Sequence, residues 1–276
     1  MHLTSVQTLS DHLKYDLKIQ PGDIVFLFSG IWGLGKLEDG LNTIDMAFGQ
    51  TIDTGALIVP TFSYSLSDGQ SFSRYTPCPE MGAFSNFVVG HSDYVRTDNP
   101  NFSVCIRRSK SNMSLVSFLA DVGADCFGED SIFEKVYKLS ATRDCWVLLL
   151  GGAFNDVLYR STFIHFAQQM TGVSHRYIKQ FYDSGTKRQI KQLVRYLDRE
   201  EYAEINGGQD PPYNFPIEED FKQYGEDVDA AGLLKVKPFG LYPSRMIGVR
   251  ESVDLMVKKI HTVPNYGVSP GSIRHE

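Results

Sequence analysis

Three short apolar runs place the strongest constraint on how this chain can fold. They span residues 23–28, 55–59 and 145–150 and show no alternation of apolar and polar residues. That pattern is typical of strands buried on both faces of a parallel sheet. A glycine-containing loop at 29–35 and a predicted helix over 41–50 separate the first two runs. The order strand, loop, helix, strand predicts a βαβ unit with a right-handed crossover.

The remaining periodicity predicts helices around this sheet. Leucines recur every four residues at Leu9, Leu13 and Leu17, which indicates a helix over 4–17. Further helices are predicted over 81–89, 112–122, 217–224 and 251–260, and a strand pair over 177–196. We therefore predict an α/β fold, a three-layer α/β/α arrangement with a largely parallel central sheet. Long loops such as 63–79 are expected at its active face.

No feature of the chain requires a domain boundary. With 276 residues, 42% of them hydrophobic, it can bury one large core. We predict a single domain over 1–264, with an acidic, Pro- and Gly-containing insertion over 198–215. The polar, glycine-containing segment 265–276 is expected to be a flexible tail.

Charge and cysteine content narrow the class of partner. A net charge of -6 and a pI near 5.7 argue against binding to nucleic acid or an anionic membrane. No apolar run approaches the roughly 18 residues that span a bilayer, and residues 1–14 lack an apolar leader. The four cysteines are scattered, which predicts core residues in a reducing cytoplasm, with a thiol nucleophile as the alternative.

Two short segments could bind phosphate. The glycine loop 29–35 follows a strand, so it could cradle phosphate or simply form a tight turn; it matches neither common nucleotide-binding motif. Arg107-Arg108-Ser109-Lys110 concentrates three positive charges and could do the same, or form a solvated turn. The chain has no G-x-S-x-G or H-E-x-x-H motif, and its seven histidines are dispersed, so no metal site is predicted.

His165 is the one side chain placed like a catalytic base. It follows the apolar run that ends in Gly151-Gly152 and lies at the start of a predicted helix over 161–169. Loops at the carboxyl ends of strands are where open α/β sheets bind ligands. The alternative is a buried histidine that is merely hydrogen-bonded.

Several segments, in chain order, resemble the aminoglycoside 3-N-acetyltransferase family. The resemblance rests on Gly22 to Gly35, GALIVPTFS at 55–63, EMGAFSN at 80–86, RTDNPNFS at 96–103, GEDS at 128–131, VLLLG at 147–151, TFIH at 162–165 and the region 245–257. Three positions depart from the family pattern. Asn99 replaces a histidine, Gln168 replaces the acidic residue three positions after the catalytic histidine, and Phe28-Ser29-Gly30 replaces a His-Ser-Ser loop.

The resemblance implies an N-acetyltransferase that uses acetyl-CoA without a metal. His165 would act as general base towards the amine of an aminoglycoside or of an amino sugar from a surface-polysaccharide pathway. Thr162 belongs to the same motif, and Gln168 or Gln169 could reach the acceptor or His165. Asp198 or Asp210 is expected to orient His165. The residues expected to bind the cofactor are Ser29, Gly30, Thr61, Ser63, Arg96, Ser103 and Ser131, although Thr61, Ser63 and Ser131 could instead cap turns.

Two alternatives stay open. The chain could use another acyl donor or a hydroxyl acceptor, or it could be a silent relative that binds CoA or sugar without turnover. A homo-oligomer is possible.

Overall fold

The three apolar runs form neighbouring strands at the centre of one sheet. The computed structural model describes residues 3–66, 69–152 and 163–274. The strands in these ranges are β1 Leu3–Thr4, β2 Ile24–Ser29, β3 Lys36–Leu37, β4 Ala56–Pro60, β5 Tyr94–Arg96, β6 Val104–Arg107, β7 Cys145–Leu150, β8 Arg176–Asp183, β9 Arg188–Arg195, β10 Lys235–Lys237 and β11 Ser244–Gly248.

Helices connect and cover these strands. The α-helices in the described ranges are α1 Val6–Asp11, α2 Asn42–Thr51, α3 Ala83–Val88, α4 Met113–Ala120, α5 Ile132–Leu139, α6 Ile164–Thr171, α7 Arg199–Ile205, α8 Lys222–Ala230 and α9 Val249–Thr262. A π-helical turn, His12–Asp16, continues α1. Among the described residues, no helix is both long enough and apolar enough to span a membrane.

Within those ranges, the central sheet has the strand order β10-β11-β7-β2-β4-β6-β5. The three central strands β7, β2 and β4 are parallel, as the apolar runs predict. The strands β11 and β6 run antiparallel to both of their neighbours. Five of the seven strands therefore point in one direction, and the predicted α/β class with a large, mostly parallel sheet is confirmed.

Alternate residues of the central strands feed two separate apolar clusters. Ile24 and Phe26 of β2 join a cluster that includes residues of α4, α5, α6 and α9. Val25 and Leu27 of the same strand join a second cluster with residues of α1, α2 and α3. Because side chains alternate along a strand, both faces of the sheet are covered and both sets of residues are buried.

The structure differs from the sequence predictions at the flanks of the sheet. Strands β5, β6, β10 and β11 have three to five residues each and carry arginine or lysine, so no apolar run marks them. The helix predicted over 217–224 lies instead at Lys222–Ala230. Strands β8 and β9 form the predicted hairpin, a separate two-stranded sheet.

The segment expected to be a flexible tail is packed instead. Tyr266 and Val268 are 6% exposed, and Ile273 forms a β-bridge with Tyr213. The predicted insertion at 198–215 contains α7, and its Tyr202 and Tyr213 join Val268 in a third apolar cluster. The apolar residues of the tail and of the insertion cover one another, which the polar composition of both segments conceals.

Candidate active site

The carboxyl ends of β2 and β7 meet in a tight glycine-lined junction. Ser29 pairs with Leu150, and the Gly30 amide donates to the Leu150 carbonyl at 2.8 Å. A Cβ atom on Gly30 would lie 2.4 Å from the Gly152 carbonyl oxygen, and one on Gly33 would lie 1.6 Å from that of Gly151. Close backbone packing therefore requires these glycines, which favours the tight-turn interpretation of the 29–35 loop.

His165 lies in the first turn of α6, close to this junction in the chain. Its ring is partly buried and contacts Phe127 edge-on, with the ring centroids 5.3 Å apart. The ring centroid of Phe221 lies 6.5 Å from that of His165. Thr162, the other residue of the motif, lies outside the described residues.

Gln168 fixes which nitrogen of His165 carries the proton. The fully buried Gln168 places its Oε1 atom 2.8 Å from Nδ1 of His165 and its Nε2 atom 2.8 Å from Oε1 of Glu219. A carboxylate only accepts, so the amide nitrogen faces Glu219 and the amide oxygen accepts from His165. Nδ1 is therefore protonated, and Nε2 of His165 keeps its lone pair. No group in the described ranges hydrogen-bonds to that Nε2 atom.

Glu219 anchors this chain of hydrogen bonds. Arg176 donates to both carboxylate oxygens, from Nε at 2.8 Å and from Nη2, and His175 donates from Nε2 at 3.2 Å. Burial alone would raise the pKa of Glu219, but the bonds from His175 and Arg176 outweigh it and hold that pKa well below its usual range. Glu219 is therefore an ionised acceptor, and its charge is satisfied inside the protein.

Sequence reasoning missed Glu219 and named two wrong carboxylates. Asp198 caps α7 by accepting from the Glu201 amide at 2.8 Å. Asp210 pairs with Arg199 and Arg274 on the surface. Glu219 lies far from His165 in the chain, and no local motif marks it. The available signal was the adjacent His175-Arg176 pair, which needs a carboxylate when buried.

The surroundings of His165 keep its ring neutral. Burial, together with the positive charges of Arg176 and Arg195, lowers the pKa of His165 to about 4. At neutral pH the imidazole is therefore uncharged, and it can accept a proton at Nε2.

Thr61, Arg96 and Ser103, which were expected to bind the cofactor, form a buried network with one another. Nε of Arg96 donates to Ser103 Oγ at 3.1 Å, and Nη2 donates to the Thr61 carbonyl at 2.7 Å. Ser103 Oγ donates to the same carbonyl at 2.7 Å. These contacts tie the end of β4 to the β5-β6 hairpin. They favour a bracing role over direct contact with a cofactor.

Two further serines expected at the cofactor, Ser131 and Ser63, also bond to the protein. Ser131 accepts from the Glu134 amide at 3.1 Å and so caps α5, which is the capping alternative stated above. Ser63 donates to the Pro100 carbonyl and holds the loop after β4 against the 99–101 turn. Gln169 contacts Asp125 at 2.8 Å and not His165.

The cysteines and the metal-ligand residue types offer no competing chemistry in the described residues. All four cysteines are buried free thiols. Burial raises the pKa of Cys78 to about 11 and those of Cys105, Cys126 and Cys145 to about 12, so none is a ready thiolate. No group of three or more His, Cys, Asp or Glu residues that could hold a metal ion occurs in the described ranges.

Comparison with known proteins places the site in context. Residues 27–261 match the family model described as aminoglycoside 3-N-acetyltransferase. No curated protein matches the chain. Among solved structures, similar folds include a mutant of AAC(3)-IVa in complex with a gentamicin (TM-score 0.73, 18% identity, 98% of this chain and 93% of that one). AAC-IIIb with CoASH (0.69, 16%, 94% and 97%) and YokD from Bacillus subtilis (0.68, 19%, 95% and 96%) are also similar.

Proposed function

This chain belongs to the aminoglycoside 3-N-acetyltransferase family, a family of acyltransferases, and we propose that it transfers the acetyl group of acetyl-CoA to an amine of an amino sugar or aminoglycoside. The observation that carries the proposal is the Nε2 atom of His165, which has no hydrogen-bond partner among the described residues. The bond from Nδ1 to Gln168 fixes the tautomer, and Glu219 in turn fixes Gln168. A neutral imidazole held in this way is a positioned general base.

His165 takes the proton that the acceptor nitrogen must lose. The neutral amine attacks the thioester carbonyl carbon, a C–N bond forms, and the carbonyl electron pair moves to oxygen. Bond formation makes the attacking N–H strongly acidic, so a base as weak as His165 can accept its proton at Nε2. Collapse of the intermediate breaks the C–S bond, and the imidazolium returns the proton to the departing thiolate of CoA.

The family resemblance assigns the co-substrate to the loops at the carboxyl edge. Ser29 and Gly30, at the end of β2 beside Gly152, are the proposed contacts of CoA, because Ser29 is partly exposed and its hydroxyl lies at this edge. Among the relatives, AAC-IIIb is described with CoASH. We give Thr61, Arg96, Ser103, Ser63 and Ser131 a bracing role around this edge, because their side chains bond to the protein. Thr162 is kept as a proposed site residue on the resemblance alone.

The family, and a relative described in complex with a gentamicin, support the proposed acceptor. Glu219 does not provide an ammonium-binding carboxylate, because Arg176, His175 and Gln168 already occupy its oxygens. An acceptor would therefore be held by other groups, and a single reactive amine suffices for the chemistry at His165. Amino sugars with one amine should therefore be tested as acceptors together with the multiply charged aminoglycosides.

The test is thiol release from acetyl-CoA with a panel of aminoglycosides and amino sugars, followed by the intact mass of each product. We expect acceptor-dependent thiol release and a product heavier by one acetyl group on nitrogen. An ester product would identify a hydroxyl acceptor, and turnover only with another acyl-CoA would identify a different donor. Binding of CoA and sugar without any release would identify a silent relative, and the proposed function would be wrong.

We infer the three-layer α/β/α arrangement from the two apolar clusters on opposite faces of the sheet. The single domain and the loops at the active face belong to the same proposal. So does a cytoplasmic location, which rests on the four free cysteines. A homo-oligomer stays a prediction.

A further inference from the structure

A basic cavity lies at the far edge of the central sheet, beside β5. It has a volume of about 280 Å³ and lies between α3 and the loop around Arg74 and Tyr75. Its lining includes the positively charged or ionisable side chains Arg74, His91, Arg96 and Arg108. Strand β5 is four strands away from β7, roughly 19 Å across the sheet. The cavity is therefore separate from the glycine junction at the ends of β2 and β7.

Arg96 brings a buried charge to this cavity without an acidic partner. The residue is 5% exposed, and its guanidinium donates to Ser103 Oγ and to the carbonyls of residues 61, 74 and 76. No carboxylate in the described ranges lies within ion-pairing distance of it. Burial lowers the pKa of Arg96, as expected for a cation removed from water. The hydrogen bonds of Arg96 use four of its five N–H donors. Arg96 therefore offers an anion one remaining N–H and a buried positive charge that no described carboxylate neutralises.

Two further donors border the same cavity. Arg108 is exposed and donates to the Ser92 carbonyl, and it forms no ion pair with a described residue. Nδ1 of His91 accepts from the Asp93 amide at 3.2 Å, so Nε2 of that ring carries the proton and can donate. Arg74 pairs loosely with Asp98, at 3.3 Å, where both side chains are exposed. The wall of the cavity therefore carries more positive than negative charge.

We propose that this cavity binds a phosphomonoester group. Guanidinium groups match the oxygens of phosphate in geometry, so Arg108 at the rim is suited to bind a compact dianion, and the buried charge of Arg96 adds electrostatic attraction. The cavity accounts for one charge of the Arg107-Arg108-Ser109-Lys110 cluster of the sequence. Arg107 is paired with Asp45 at 2.8 Å, whereas Arg108 borders the cavity. The phosphomonoester could be the 3′-phosphate of CoA, which rests on the proposed function, or it could be free phosphate.

The first arm measures binding of inorganic phosphate to the whole chain by titration calorimetry, with chloride at equal ionic strength as reference. We expect Arg108→Gln to weaken phosphate binding about 3- to 10-fold, because it removes one charge-assisted contact at an exposed rim. Lys110→Gln is the matched control. It removes the same charge two residues away and outside the cavity, and it should change binding less than about twofold. The proposal is overturned if phosphate binds no better than chloride, or if both variants weaken binding equally.

The second arm identifies the source of the phosphomonoester. If the cavity holds the 3′-phosphate of CoA, Arg108→Gln raises KM for acetyl-CoA and leaves KM for acetyl-dephospho-CoA unchanged. If the cavity takes free phosphate, both KM values stay unchanged while phosphate binding weakens. Calorimetry does not need turnover, so a failure of the proposed acetyl transfer remains distinguishable from a failure of this site.

Discussion

Two networks of hydrogen bonds beside the central sheet differ in whether one of their polar atoms lacks a partner among the described residues. Around His165, hydrogen bonds run from Glu219 through Gln168 to Nδ1 and leave Nε2 free of any described partner. Around Arg96, the donors and acceptors of Thr61 and Ser103 bond to one another and to backbone carbonyls. We call the first network open, because Nε2 of His165 has no described partner. We call the second network closed, because its polar groups bond to one another and to backbone carbonyls.

The difference separates residues that position chemistry from residues that brace the fold. An open network orients a group whose remaining lone pair can react, so its removal should affect turnover. A closed network satisfies buried polar atoms, so its removal should affect stability. Family motifs mark residues of both networks alike. Kinetics and unfolding measured on the same variants therefore test the distinction.

The largest effect on activity is expected from replacing His165, the residue with the unpartnered nitrogen in the open network. His165→Ala removes the proposed base, and kcat/KM should fall about 100- to 10,000-fold. His261→Ala, at an exposed histidine of α9, is the matched control and should leave the rate unchanged. Steady-state thiol release measures both variants, with circular dichroism to show that they fold. Full turnover in His165→Ala would show that His165 is not the general base and that the two networks do not differ in their effect on turnover.

The anchor of the open network should affect both rate and stability. Glu219→Gln keeps the shape of the side chain but leaves Arg176 buried without its counter-charge, so the free energy of unfolding should fall by about 3–5 kcal/mol. We also expect kcat to fall by about tenfold, because Gln168 loses its fixed acceptor. Asp210→Asn, in an exposed ion pair, should lower the free energy of unfolding far less than Glu219→Gln. Urea unfolding and steady-state kinetics measure both variants. Equal losses of stability in Glu219→Gln and Asp210→Asn would contradict the role of Glu219 as the anchor.

The centre of the fold was predictable because burial on both faces leaves a sequence signature. Strands β2, β4 and β7 are uninterrupted apolar runs, and they were located within one or two residues. Strands β6 and β11 were not found, because four or five residues containing an arginine resemble a loop. Their antiparallel direction depends on long-range pairing, which no local pattern records.

The site was predictable only where its residues are neighbours in the chain. His165 and Gln168 share one face of α6, three positions apart, and that spacing indicates contact. Glu219 reaches them from outside any regular element of the described chain, whereas the acidic composition of 198–215 pointed to the wrong carboxylates, Asp198 and Asp210. The motif serines and Thr61 were assigned by resemblance. A hydroxyl that caps a helix and one that holds a ligand look the same in a sequence.

A smaller effect is expected from protonation of the open network. The pKa of His165 is lowered to about 4 in the folded protein, against about 6.5 when unfolded. Between these values the unfolded chain binds more protons, so stability falls as the pH is lowered from 6.5 towards 4. At pH 5 this single group should cost about 2 kcal/mol. Comparing wild type with His165→Gln in urea at about pH 7 and pH 5 isolates the difference. A loss of equal size in both proteins would contradict the shift.

The smallest effect is expected in the closed network, and it concerns stability alone. Ser103→Ala deprives Nε of Arg96 of its acceptor and the Thr61 carbonyl of one donor, so unfolding should become easier by about 1–2 kcal/mol. The network lies at the end of β4, two strands away from β7 in the sheet, so kcat should stay within about twofold. Ser103→Thr restores the hydroxyl and separates the lost bond from a change in side-chain volume. If Ser103→Ala lowers kcat without lowering stability, and the threonine variant restores it, the closed network also serves the chemistry. The boundary between bracing and positioning would then have to include Arg96.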